Sequence, residues 1–193
     1  MTKIIGIIGH SGVGKDTFGK FLFDAIPMPG TYLNLIAFAD HLRSICAVIS
    51  GLPTIYFSDQ LYKNTRRKDL RGKTPKEFMQ EVGTKLREVD KDIFVNYVKD
   101  NYIDWQHDEF MIITDVRLQN EIDFVLANEG VLIHLTRKGY DGKVNGELHE
   151  SEKLADELLI NKLPGVIYVE NNGTLSDLQQ VAKQLSDKIL SSL

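Results

Sequence analysis

The sequence predicts an α/β fold: one five-stranded parallel sheet with helices on both faces. Three observations carry this. Apolar runs of strand length alternate with stretches of helical period along all 193 residues, and strands separated by helices imply parallel pairing. The first run, Ile4-Ile5-Gly6-Ile7-Ile8, is continuously apolar and β-branched, as suits a strand buried on both faces. It passes through a glycine loop, Gly9 to Gly14, into a helical pattern in which Phe18, Phe21 and Leu22 share one face.

The remaining elements follow in order. Residues 32–38 read as a second strand, and 40–50 as a helix with Leu42, Ile45, Cys46 and Ile49 on one side. Residues 51–74 show no sustained period and carry Lys63, Arg66, Arg67, Lys68, Arg71 and Lys73. Thr74-Pro75 with Glu77 marks a helix start, followed by Phe78, Met79, Val82 and Leu86. A further helix is expected over 92–105, and Phe110 to Thr114, ending in Asp115, makes the third strand. A helix over 119–128 leads through Gly130 to a fourth strand at 131–135. Residues 137–149 form a polar, glycine-containing loop with Arg137, Lys138 and Lys143, 166–169 a fifth strand, and 175–190 a closing amphipathic helix. No internal repeat or low-complexity segment interrupts the series.

Composition narrows the functional classes. A chain of this length with 42% hydrophobic residues can bury one sizeable core, so a single domain over 1–193 is expected, with an insertion at about 51–106 and a lid-like loop at about 137–149. A formal charge of -4 argues against nucleic acid as a partner, so any anion site must be local. The single Cys46 falls in a helical core pattern and excludes an intramolecular disulfide. No apolar run is long enough to span a membrane and no secretory leader precedes the first strand, so a cytoplasmic protein is expected.

The loop Gly9-His10-Ser11-Gly12-Val13-Gly14-Lys15 has the spacing G-x-x-x-x-G-K, and its position between strand and helix is the one a phosphate-binding loop requires. Backbone N–H groups and a helix N-terminus aim at an anion, while the lysine reaches the outer phosphates. The position after Lys15 is Asp16 where Ser or Thr is usual, and the hydroxyl comes one residue later, at Thr17. A carboxylate beside donor phosphates is costly unless cations compensate it. Asp16 therefore reads as a metal-linked ligand, an organiser of cations or a helix cap.

Ligands of such sheets sit beyond the carboxyl ends of the strands, which places the loop, Asp40, Asp115 to Arg117 and Arg137 along one edge. Asp115 stands where a carboxylate holds Mg²⁺ directly or through water, or else caps the next helix. Arg117 is suited to bridge two phosphates with a bidentate guanidinium. Glu121 could orient it as an i, i+4 partner, or simply form a surface pair.

Five blocks in order, GHSGVGKDT at 9–17, FAD at 38–40, KEFMQEVGTKLR at 76–87, TDVRLQNE at 114–121 and HESE at 149–152, resemble the deoxynucleoside monophosphate kinases of bacteriophages. The resemblance spans most of the chain, and Asp16 is a regular letter of that family. It implies a P-loop kinase three-layer sandwich with strand order 2-3-1-4-5, ATP as phosphoryl donor, Mg²⁺ as cofactor and deoxynucleoside monophosphates as acceptors. Lys15, Asp16, Asp115 and Arg117 would be catalytic. Gly9, Ser11, Gly12, Val13, Gly14, Thr17 and Arg137 would join Lys15 and Asp16 in binding ATP, and Asp16, Thr17 and Asp115 would hold the metal, partly through water. Lys76, Gln80, Gly83, Thr84, Arg87 and Glu121 would bind the acceptor, joined by Asp40 and the cations Arg66, Arg67, Arg71 and Lys73, which are expected there from their place at the ligand edge rather than from the resemblance. His149, Ser151 and Glu152 would help close the lid.

The chain departs from the family pattern at Lys76, often arginine, at Glu77, often basic, and at Phe94, commonly tryptophan; the only Trp here is Trp105. These departures fall in the presumed acceptor site and bear on base preference. A homodimer is compatible with the resemblance, and a phage origin would place the protein in the host cytoplasm. Two other readings stay open: a P-loop kinase for another small phosphorylated acceptor such as phosphomevalonate, and a nucleotide-binding switch, against which the second cationic region argues.

Overall fold

The computed structural model describes residues 3–27, 32–103, 109–141, 143–144, 147–148, 155, 157 and 165–191. Trp105, His149, Ser151 and Glu152 lie outside them. Contacts divide the chain into two units, one of residues 1–37 and 102–193 and the other of residues 38–101.

The first unit is built on a parallel sheet. Its strands are β1 (Lys3–Ile8), β2 (Tyr32–Ile36), β3 (Glu109–Val116), β4 (Val131–Thr136) and, after a two-stranded antiparallel ribbon of β5 (Lys143–Val144) and β6 (Glu147–Leu148), β7 (Val166–Glu170). The order across the sheet is β2-β3-β1-β4-β7, and every pairing in it is parallel. Counted within the sheet alone this is 2-3-1-4-5, the expected order. β1 is therefore central, flanked by β3 and β4, and the loop that follows it leaves from the switch point of the sheet.

The continuous apolar runs are explained by cover on both faces. Ile5, Ile7, Ile112, Ile133 and Leu135 pack into one cluster with Phe18 and Leu22 of α1 (Lys15–Ala25) and with Leu178, Ala182, Leu185 and Ile189 of the last helix. On the other face Ile4, Ile8, Met111, Ile113 and Leu132 are also buried, as are Ile122 and Val125 of the helix after β3. Each fully buried aliphatic side chain of this kind contributes about 1.5–3 kcal/mol of transfer free energy.

The second unit is helical: α2 (Phe38–Ser50), the one-turn helices α3 (Ile55–Ser58) and α4 (Gln60–Lys63), α5 (Pro75–Val89) and most of α6 (Ile93–Tyr102). The first unit closes with α7 (Gln119–Ala127) and α8 (Leu175–Ser191).

Most boundaries agree with the sequence reading, and three differ for local reasons. β2 stops at Ile36, and Phe38 begins α2 with its ring buried, so the apolar run at 32–38 serves two elements. The aperiodic stretch 51–74 holds two single turns, too short to show a period; Asp59 caps the second, its carboxylate accepting from the N–H groups of Leu61 and Tyr62. β3 continues through Asp115 to Val116, so Asp115 lies within the strand. The start of α5 forms as read: Thr74 and Glu77 make a reciprocal capping box with Pro75 in the first turn.

Candidate active site

The loop between β1 and α1 is shaped by glycine. Gly9 has φ of 152° and Gly14 has φ of 99°, conformations that L side chains rarely adopt. Space is also restricted. A Cβ on Gly9 would run into the Leu135 carbonyl oxygen at the end of β4, and one on Gly14 would stand 2.8 Å from the Asn171 amide nitrogen. Val13 is the loop's apolar anchor, fully buried in the sheet core, while Ser11 and Gly12 are exposed. The α1 N-terminus follows at once, leaving its first N–H groups for an anion.

Lys15 is 7% exposed, and its ammonium donates to the carbonyl oxygens of Gly9 at 2.7 Å and His10 at 2.8 Å. The loop thus wraps its own cation. Asp16 and Thr17 are exposed on the first turn of α1. The Asp16 carboxylate accepts a 2.9 Å hydrogen bond from the Thr114 hydroxyl of β3, which aims it across the top of the sheet toward the strand that carries Asp115. This tether was not foreseen, because Thr114 is 98 positions away in sequence.

Asp115 and Arg117 are half-buried at the end of β3. Glu121 is 3% exposed, and its carboxylate accepts from the N–H groups of Arg117 at 2.7 Å and Leu118 at 3.1 Å. The D-x-R-x-x-x-E spacing therefore works through the backbone here. Glu121 caps α7 and so fixes the peptide from which Arg117 projects.

Arg137 follows β4, and its guanidinium lies 5.1 Å from the centroid of the Tyr140 ring. A Cβ on Gly12 would stand 2.9 Å from that ring, so the start of the lid-like segment reaches the phosphate loop. Asn171, just past β7, donates through its amide to the Val13 carbonyl at 2.8 Å and is 8% exposed. Sequence reasoning missed Asn171, Thr114 and Tyr140. The only trace of the first is the Asn-Asn-Gly-Thr turn before α8, which reads equally as an ordinary loop and cap.

The site residues expected to hold the acceptor, other than Glu121, all lie in the second unit. Gln80, Thr84 and Arg87 share one face of α5 at helical spacing; Gln80 and Thr84 are exposed, while Lys76 and Arg87 are half-buried. The Arg87 guanidinium lies 4.8 Å from the centre of the Phe94 ring, which is itself buried. Gly83 is buried, and a Cβ there would meet Leu42 of α2 at 2.9 Å, so the glycine lets α5 pack closely on α2.

The basic stretch is internally tied. Arg67 pairs with Asp69 through two hydrogen bonds, 2.7 and 3.0 Å, and lies over the Tyr56 ring at 4.1 Å. That hydrogen bonding raises the Arg67 pKa and holds the Asp69 carboxyl below its ordinary value. Arg66 donates to the Gly72 carbonyl at 2.9 Å, Lys73 pairs with Glu81, and Asp40 pairs with Arg43. Arg71 is exposed, with a left-handed φ of 55°. His41 stacks on Tyr97 with ring centroids 3.5 Å apart, and burial lowers its pKa. Burial pushes the Cys46 thiol up to about 11, as fits its core position.

No three His, Cys, Asp or Glu side chains converge into a metal cage among the described residues. A Mg²⁺ ion carried with nucleotide phosphates needs less, since it keeps several waters and takes only one or two protein carboxylates. Asp16 tethered to Thr114, with Thr17 beside it and Asp115 next along β3, fits that requirement. No helix among the described residues is long and apolar enough to cross a membrane.

Residues 62–181 match the family model for deoxynucleotide monophosphate kinase. A protein of Acanthamoeba polyphaga mimivirus, provisionally named a deoxynucleotide monophosphate kinase, is 29% identical over 185 residues, covering 82% of this chain and 88% of its own. Among solved structures, a gluconokinase from Sinorhizobium meliloti 1021 aligns with a TM-score of 0.49 at 12% identity, over 98% of this chain and 94% of that one. A shikimate kinase from Acinetobacter baumannii aligns with a TM-score of 0.47 at 14% identity, over 100% and 95%.

Proposed function

Because the chain belongs to the deoxynucleotide monophosphate kinase family, we propose that it moves the γ-phosphoryl group of ATP to the 5′-phosphate of a deoxynucleoside monophosphate. The observation that carries this reading is the Thr114 to Asp16 hydrogen bond. It ties the first turn of α1, just after the phosphate loop, to the strand that carries Asp115 and leads into Arg117.

Phosphoryl transfer asks a protein mainly to position two oxyanions and neutralise the charge between them. Lys15 turns from the Gly9 and His10 carbonyls to the outer donor phosphates. Arg117, set by the Glu121 cap, reaches the transferring group with a planar fork that suits two phosphates. When bound, Mg²⁺ supplies charge neutralisation across the donor phosphates, and Asp16, Thr17 and Asp115 are the residues that would hold it, partly through water. The acceptor phosphate is already ionised, so no strong base is needed. Gln80, Thr84 and Arg87 on α5, with the exposed Arg66 and Arg71, offer the acceptor a polar, cationic surface.

The deciding experiment incubates the protein and Mg·ATP with dGMP, dTMP, dCMP, dAMP or phosphomevalonate. Transfer to at least one deoxynucleotide is expected. Transfer to phosphomevalonate alone, or to none of the five, rejects the reading. Asp16→Ala is expected to lower turnover about 10²-fold while leaving the melting temperature nearly unchanged; near-normal turnover with a lowered melting temperature would make Asp16 a structural cap.

A further inference from the structure

We propose that Asn171 is a positioning residue for nucleotide binding: it sets the direction of a backbone N–H group in the phosphate loop. The inference rests on the reading of that loop as the ATP site. Its geometry starts with the peptide between Val13 and Gly14. That peptide is planar and trans, so its carbonyl and its N–H point in opposite directions. The Val13 carbonyl accepts from the Asn171 amide at 2.8 Å, which turns the Gly14 N–H away from Asn171.

The brace itself is rigid. Asn171 is 8% exposed, and its backbone N–H donates to the Thr136 carbonyl at the end of β4, 2.7 Å away. Its amide nitrogen also occupies the space that a Cβ on Gly14 would need. The end of β4 and the first residue past β7 thus hold the loop from outside it.

Lys15 also holds loop carbonyls, those of Gly9 and His10. An ammonium that swings onto phosphate must release those oxygens. The Asn171 bond does not compete with the ligand, so it still orders the loop when the nucleotide arrives. A donor is required, because the Val13 oxygen can only accept. An aspartate of the same shape would set a carboxylate against a carbonyl oxygen, and burial would raise its pKa.

The test measures binding of Mg²⁺ with a nonhydrolysable ATP analogue by calorimetry, and KM for ATP and for the acceptor. Asn171→Asp is expected to weaken analogue binding and raise KM for ATP by about 10–100-fold, the scale of a lost hydrogen bond to a charged group. KM for the deoxynucleotide should stay within about twofold, since no acceptor residue is touched. Lowering the pH from about 8 to about 5.5 should restore analogue affinity in Asn171→Asp relative to wild type, because the protonated carboxyl is again a donor. Should that variant fail to fold, Asn171→Ser, which shortens the reach without adding charge, carries the same expectation for the two KM values. Unchanged analogue binding in a folded variant, or equal losses for donor and acceptor, would overturn the proposal. A wild-type protein that binds no analogue would overturn the ATP reading itself, and this inference with it.

Discussion

The phosphate end of the sheet and the helical unit at 38–101 hold their polar residues in opposite ways. At the sheet, Lys15, Glu121 and Asn171 are each under a tenth exposed, and each bonds to backbone atoms of a loop or helix end. In the helical unit Arg66, Arg71, Gln80 and Thr84 are exposed, and charged side chains also pair with one another at the surface, as Arg67 does with Asp69 and Lys73 with Glu81. The contrast follows from chemistry. A phosphate shared by all nucleotides can be met by a prebuilt cradle of N–H groups and one cation. On the proposed reading, an acceptor that varies in its base would be met by long surface side chains, whose exposed pairs are worth little and exchange easily.

Four perturbations would break or sharpen that contrast. The largest effect is expected from Lys15→Met, which should lower turnover by about 10²–10³-fold in steady-state assays while the fold persists. A loss below tenfold would mean that the buried ammonium serves the loop rather than the phosphates. Thr114→Val keeps the shape of the side chain but frees the Asp16 carboxylate, and should cost about tenfold in turnover with the melting temperature nearly unchanged. Parallel losses of turnover and stability would mark that hydrogen bond as structural.

In the helical unit the expected losses are of stability. Gly83→Leu forces bulk between α5 and Leu42 and should destabilise by about 1–3 kcal/mol, read by chemical denaturation. A neutral result would show that α2 and α5 yield freely there. The smallest effect is pH-linked. The Thr74 backbone N–H holds the Glu77 carboxyl below its ordinary value, so this contribution is present above the unfolded pKa and is lost as pH falls through the folded one. The melting-temperature gap between wild type and Glu77→Gln should therefore be open near neutral pH and close below about pH 4.3. A gap independent of pH would assign the cap to Thr74 alone.

Much of the sheet was legible from sequence. Its central strands β1, β3 and β4 are covered on both faces, so their apolar runs are largely continuous. The helical unit was harder to read because a one-turn helix such as Gln60–Lys63 is shorter than the period that would reveal it. Gly83 could be seen as part of a polar motif, but its contact with Leu42 depends on how α2 and α5 cross. The D-x-R-x-x-x-E spacing was equally visible, yet that Glu121 would be buried and accept from the Arg117 backbone N–H was not.

The sequence by itself determined the order of strand, glycine loop and helix, the lysine at the loop's end and the carboxylate beside it, because those depend on residues a few positions apart. Only the tertiary structure decided what holds that loop open: Thr114 on Asp16 and Asn171 on Val13, separated by 98 and 158 positions. The physical reason is that a loop carbonyl or a carboxylate takes whichever donor the packed sheet brings to it, and a parallel sheet brings together strand ends that are remote in the chain.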